Sequence, residues 1–95
     1  MSRLDRDCER ALRAAAPLPL TARVTASRDW ASALFTGTRL TLDLDAGNDD
    51  DVFDAWLAEI GEIALPLRGY FVADAEVTAR SAGAATVELL AIEEV

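Results

Sequence analysis

The sequence contains no histidine and no lysine, and it has only one cysteine in 95 residues. Histidine is the commonest general base near neutral pH and a frequent zinc ligand, and lysine supplies the amine nucleophile of Schiff-base enzymes. The sequence also lacks a CxxC pair and a glycine-rich phosphate-binding loop, so the usual signatures of redox, zinc and nucleotide chemistry are missing. We therefore expect a protein that is not an enzyme and that uses no cofactor.

Cys8 cannot form a disulfide within the chain because no second cysteine is present, and this is typical of proteins in a reducing compartment. It falls on the apolar stripe of a predicted first helix, so we interpret it as a small buried residue and not as a nucleophile. The apolar run after that helix is short and is interrupted by Pro17 and Pro19, so we expect neither a signal peptide nor a membrane span. These features together predict a cytoplasmic protein.

Acidic residues exceed basic ones by 17 to 9, and the formal net charge is −8 at pH 7. The excess lies in residues 14–95, because the first thirteen residues hold four arginines and three acids. An acidic surface repels phosphate backbones and anionic lipids, so we expect no nucleic-acid partner and no membrane partner. Hydrophobic residues make up 52% of the chain, which is typical of a folded protein, and the length predicts one domain over residues 1–95.

Residues 51–64 carry the clearest helical pattern in the chain. Asp51 is the predicted N-cap, Pro66 sets the far limit, and Gly61 fits either a C-cap or an interior position. We predict that this helix organises the core, with Trp56 as its main anchor. The large apolar residues that recur at the spacing of one helix face are Val52, Phe53, Trp56, Leu57, Ile60 and Ile63.

A first helix is predicted over residues 2–16 with Ser2 as its N-cap, and four segments alternate with period two as strands do. The first strand starts at Leu20 and is followed by a predicted turn over residues 27–32 that carries Trp30. The second strand is predicted over residues 34–45. Gly37 is a candidate bulge in it, which would allow both Leu34 and Phe35 to be buried. Predicted inward residues are Ala22, Val24 and Ala26, then Leu40, Leu42 and Leu44, then Phe71, Ala73, Ala75, Val77 and Ala79.

The last two strands, residues 69–80 and 84–93, read as a hairpin. Ser81, Ala82 and Gly83 fit a three-residue loop that pairs Arg80 with Ala84. One pair in that register sets two glutamates directly opposite each other, and like charges in that position repel. Four explanations stay open: water, a neighbouring charge, a basic ligand, or acid and base chemistry. The predicted pairs are Val77 with Val87, Ala75 with Leu89, Ala73 with Ala91 and Glu76 with Glu88.

These elements predict an α+β fold in the order αββαββ. Two such units form a two-layer sandwich, a four-stranded antiparallel sheet with two helices on one face. The order resembles a circularly permuted ferredoxin-like arrangement, which implies that the first and third strands lie at the sheet edges. The two halves echo each other, since Pro19 and Leu20 match Pro66 and Leu67, and both a duplication and two merely similar units stay open.

The outer face of the final hairpin is the first candidate site. Tyr70, Val72, Leu90 and Ile92 are predicted to stand on the side of the sheet that has no helix. An exposed apolar patch of this kind marks a protein interface. We therefore predict that the protein acts through association, as a homodimer or with another protein partner.

The acidic turn before the second helix is the alternative site, for a divalent cation or a small ligand. Hard oxygen ligands are the type that Ca²⁺ and Mg²⁺ need. As an EF-hand loop starting at Asp43, however, the segment has Asn48 where glycine is required and Asp54 where glutamate is required. The candidate ligands are Asp43, Asp45, Asp49, Asp50 and Asp51.

Overall fold

The computed structural model describes residues 2–48 and 50–94. The strands form one antiparallel sheet in the order β1-β2-β4-β3. This confirms the predicted α+β fold, the αββαββ order and the positions of the first and third strands at the edges. The elements are α1 (Arg3–Ala15), β1 (Thr21–Ala31), β2 (Thr36–Asp45), α2 (Asp51–Ala58), a 3-10 turn (Ile60–Glu62), β3 (Tyr70–Ser81) and β4 (Ala84–Glu93).

Both helices pack on the same face of the sheet, which we call the helix face; the opposite side is the open face. Apolar residues of α1 and α2 and of all four strands share one buried cluster on the helix face. The inward positions of Leu40, Leu42 and Leu44 are confirmed, since all three are buried in that cluster. Its largest fully buried side chains are Phe53, Leu12, Leu40, Leu42, Leu44, Leu89, Val87 and Cys8.

Helix α1 begins after Ser2, as predicted, because the Ser2 hydroxyl accepts a hydrogen bond from the backbone N–H of Asp5 at 3.1 Å. Its buried side is narrow and consists of Cys8 and two neighbours on the same stripe. Glu9 ties the helix to the sheet, since its Oε2 atom accepts from the backbone N–H of Val24 in β1 at 2.9 Å. The predicted helix thus forms, and it is held to an edge strand by a polar contact as well as by packing.

Helix α2 is shorter than predicted, and its N-cap is Asp50 instead of Asp51. The Asp50 carboxylate accepts from the N–H of Val52 at 2.7 Å. After Ala58 the chain tightens into the 3-10 turn, where the N–H of Glu59 bonds to a carbonyl only three residues back. Gly61 lies inside that turn, which is neither of the two roles expected for it.

Arg80 holds α2 against the β3–β4 hairpin. Its guanidinium lies over the Phe53 ring, 4.9 Å from the centroid, and forms an ion pair with Asp54. Its Nη1 atom also donates to the carbonyl of Ala84 at 2.7 Å. These contacts place a charged residue on the helix face, where it closes the end of the buried cluster.

The edge strands contain three β-bulges, and these account for most of the wrong strand predictions. The extra residues are Thr25 in β1 and Ala73 and Thr78 in β3. A bulge reverses which face the following residues take. Ala26, which follows the bulge at Thr25, is therefore exposed on the open face and not buried as predicted. The turn predicted at residues 27–32 is also wrong, because β1 continues through it to Ala31.

The β3–β4 register is confirmed in the middle and wrong at both ends. The bulges leave Ala75 and Val77 on the helix face but move Phe71 and Ala79 to the open face. At the tip, the loop has two residues, and Gly83 adopts the positive φ of 72° that the turn requires. The confirmed pairs are Val77–Val87, Ala75–Leu89 and Glu76–Glu88, whereas Val72 pairs with Ala91, Arg80 with Ala85 and Ser81 with Ala84.

We expect Trp56→Ala to lower the free energy of unfolding by about 3 to 5 kcal/mol, because the indole is buried in the core. The indole Nε1 has no hydrogen-bond partner among the described residues. Trp56→Phe should therefore cost much less than Trp56→Ala. Val52→Ala is the control on the same helix, since Val52 is 48% exposed. Urea unfolding of the three variants measures the difference, and equal midpoints for Trp56→Ala and the wild type would show that α2 does not anchor the core.

Candidate interaction surface

The open face is built from rows of residues that lie side by side across the four strands. Directly paired residues point to the same side of a sheet, so the pairing defines each row. The two rows nearest the β1–β2 loop are Trp30, Gly37, Ile92 and Phe71, followed by Arg28, Arg39, Leu90 and Asp74. The next two rows are Ala26, Thr41, Glu88 and Glu76, followed by Arg23, Asp43, Thr86 and Ala79.

Along β1 and β2 the helix face changes from apolar to polar towards the β1–β2 loop. Near the β3–β4 loop the helix face is apolar and the open face is polar, as in any two-layer fold. Near the β1–β2 loop the helix face carries Ser27, Asp29 and Thr38, and the open face carries the large apolar residues. We call these residues, Trp30, Phe71, Leu90 and Ile92, the apolar cluster.

Leu90 and Ile92 are buried on the open face, although no helix covers it. They are 8% and 3% exposed, and they lie outside the main buried cluster. Trp30 and Phe71 stand at the two ends of the row that contains Ile92, the end row nearest the β1–β2 loop. Trp30 is partly buried and Phe71 is 43% exposed. Aromatic side chains on the two edge strands therefore form the accessible surface of this small second core.

Gly37 sits in the middle of the end row, between Trp30 and Ile92. A Cβ atom at position 37 would collide with the carbonyl oxygen of Ala91, so the close approach of the two strands requires glycine. The predicted bulge at Gly37 does not occur. The predicted burial of Leu34 and Phe35 is also wrong. Both residues lie in the β1–β2 loop, where Leu34 is 83% exposed and Phe35 is 45% exposed.

The structure separates the four predicted interface residues. Leu90 and Ile92 lie on the open face as predicted, but they are buried there and not exposed. Tyr70 and Val72 pack against the main core on the helix face. The bulge at Ala73 is the reason, because it reverses the alternation of β3 before that residue. Sequence reasoning missed Trp30 and Phe71, whose placement follows from bulges that hydrophobic periodicity does not show.

Charged residues lie on all four strands of the open face. The predicted Glu76–Glu88 pair is confirmed, and Arg39 offsets it by forming an ion pair with Glu88 at 2.9 Å. Glu88 is therefore engaged by an arginine, an arrangement that differs from the paired free carboxylates of acid and base catalysis. Arg28 on β1 and Asp74 on β3 lie at opposite ends of one row.

The carboxylates of the acidic turn are mostly used within the fold. Asp43 accepts from the Thr86 hydroxyl at 3.0 Å, and Asp45 accepts from the N–H of Gly47 at 2.8 Å. Asp50 caps α2 and Asp51 starts it, while Asp49 lies outside the described residues. Across residues 2–48 and 50–94, Asp, Glu, His and Cys side chains do not gather in threes as a metal site would require.

Cys8 is fully buried in the core. Burial raises the pKa of its thiol to about 12, and the neighbouring carboxylates of Asp5, Asp7 and Glu9 act in the same direction. The thiol therefore stays protonated and unreactive at neutral pH, which agrees with a packing role.

A cavity of about 480 Å³ lies between the start of α1 and the polar end of the helix face. Its lining includes Ser27, Asp29 and Thr38 from the sheet together with Arg68 and Tyr70. Half of its lining residues are charged, with both signs present, whereas sites for small molecules are mostly apolar with a few converging polar groups. The open face is accordingly the stronger candidate for a functional surface.

Comparison with protein-family models, with curated proteins and with solved structures found no match. Among the described residues, no helix is long and apolar enough to cross a membrane.

We expect millimolar Ca²⁺ or Mg²⁺ to leave the thermal midpoint unchanged, because the Asp45 and Asp50 carboxylates already accept backbone hydrogen bonds. A thermal shift titration measures this, since a ligand that binds only the folded state raises the midpoint. A rise of several degrees that disappears in the double variant Asp49→Asn with Asp50→Asn would show that the turn binds a cation.

Proposed function

We propose that the protein is a small non-catalytic association module that forms a homodimer through the open face of its sheet. The observation that carries the proposal is the apolar cluster, which gathers Trp30, Phe71, Leu90 and Ile92 on the side without helices. Leu90 and Ile92 are buried within this cluster, and its accessible part consists of Phe71, which is 43% exposed, and the partly buried Trp30. Exposed aromatic surface rimmed by charged residues is typical of protein interfaces. A cytoplasmic location belongs to the same proposal, because the only thiol is buried and unpaired.

The size of the open face supports this function. Four strands about 4.8 Å apart, with roughly eight residues each at about 3.3 Å per residue, give a face of about 500 Å² per copy. Two such faces bury about 1,000 Å² in total, which reaches the lower limit of specific interfaces.

The edges of the sheet favour association through the face over strand addition. Both edge strands are interrupted by bulges, at Thr25 in β1 and at Ala73 and Thr78 in β3. Bulged edges resist pairing with another strand. Glu9 also occupies the backbone N–H of Val24 beside the first bulge, so a partner strand would have to displace it.

Phe71→Arg should give a folded monomer, because Phe71 is exposed in the single copy and a charge there opposes burial in the dimer. Light scattering coupled to size-exclusion chromatography, at about 100 μM protein, measures the mass of each variant. That concentration is well above a dissociation constant of about 1 μM, which corresponds to a binding free energy of about −8 kcal/mol. The matched control is Val52→Arg, since Val52 has a similar exposure but lies on α2 in the other layer.

The control variant should remain a dimer like the wild type. A monomeric wild type under these conditions would overturn the proposal. So would a Phe71→Arg protein that stays dimeric while Val52→Arg dissociates, because association would then use the helix layer.

A further inference from the structure

We infer that the two copies in the dimer are related by a twofold axis parallel to the strands, so that β1 of one copy lies over β3 of its partner. This inference rests on the proposed function and specifies the partner surface. It follows from the way in which charges are distributed between the two edges of the open face.

The two edge strands carry opposite charges on the open face. In β1 the residues on that side include Arg23 and Arg28, and no described residue of β1 places a carboxylate there. In β3 they include Asp74 and Glu76, and none of the described residues of β3 places a basic group there. One edge of the face is therefore basic and the other is acidic.

Two twofold axes can bring such faces together with the strands aligned, and the charges distinguish them. An axis across the strands sets β1 against β1 of the partner, so that Arg23 and Arg28 meet arginines. An axis along the strands sets β1 against β3, so that each basic edge meets an acidic edge. Like charges in apposition cost affinity and opposite charges fix the register, so the second arrangement is favoured.

The two rows nearest the β1–β2 loop then match. With the axis midway between β2 and β4, Arg28 of one copy lies opposite Asp74 of the other, and Trp30 lies opposite Phe71. Each contact occurs twice, as an isologous interface requires. Sheets packed face to face keep their strands within about 30° of each other, which preserves these row matches near the axis.

Arg28 and Asp74 are free to pair between copies. Neither forms an ion pair with another residue in the part of the chain that the structure describes. They cannot reach each other within one copy, because three strand spacings of about 4.8 Å separate β1 from β3. A partner in the inferred orientation supplies the missing opposite charge to each.

The test reverses the two charges singly and together. Arg28→Asp and Asp74→Arg should each weaken the dimer by about tenfold or more, because each creates two like-charge contacts. The double variant should return to within about threefold of the wild type, since the pairs are restored with reversed sign. Sedimentation equilibrium measures the dissociation constants. A salt concentration of about 0.15 M screens charges that are more than about 8 Å apart, so the measurement reports mainly on direct contacts.

Mixing the two single variants gives an independent readout. Arg28→Asp chains and Asp74→Arg chains should form heterodimers in preference to either homodimer, because all their facing charges are then opposite. Arg6→Asp on α1 is the control for net charge, since it makes the same change in total charge on the helix layer and should leave the dimer unaffected.

The outcomes separate the inference from the function on which it rests. If Phe71→Arg abolishes the dimer but the charge reversals have no effect, or the double variant is weaker than both singles, the orientation is wrong and the proposed function stands. If Arg28→Asp tightens the dimer, the axis runs across the strands. If the wild type is a monomer, the proposed function itself fails.

Discussion

The composition of the open face depends on two β-bulges, one extra residue at Thr25 in β1 and one at Ala73 in β3. Each bulge changes the face that the rest of its strand presents. Without the first, Trp30 would point towards the helices; without the second, Phe71 would be on the helix face and Val72 on the open face. Together the bulges set two aromatic residues at the two edges of one row, on either side of Gly37 and Ile92.

The consequence is a small sheet with two apolar regions on opposite faces. One is covered by α1 and α2, and the other is covered only by its own edge residues. A sheet of this kind commonly has one face on the core and the other in water, whereas here Trp30 and Phe71 lie on the open face near the β1–β2 loop, and the proposed dimer would cover them. In that proposed dimer the basic and acidic edges beside the apolar cluster set the orientation of the second copy.

Sequence reasoning predicted the elements whose side chains repeat without interruption. The stripe of α1, the alternation of Leu40, Leu42 and Leu44, and the Val77–Val87 register were all recovered, because burial selects one residue type at a regular spacing. The bulges were missed because an extra residue leaves no mark in composition, although the Thr25 and Thr78 hydroxyls donate to carbonyls of the neighbouring strands. Of the four predicted interface residues, the structure consequently places Leu90 and Ile92 on the open face and Tyr70 and Val72 on the helix face, and their role in association stays a prediction.

The most direct measurement is the accessibility of Trp30 as the protein concentration rises. In a Trp56→Phe background Trp30 is the only tryptophan, so acrylamide quenching of its fluorescence reports on the open face alone. Between about 1 μM and about 200 μM, a range that brackets a micromolar affinity, quenching should fall as the dimer forms and should stay high in Phe71→Arg. Quenching of Trp30 that is the same at both concentrations would contradict the assignment of the open face as the dimer interface.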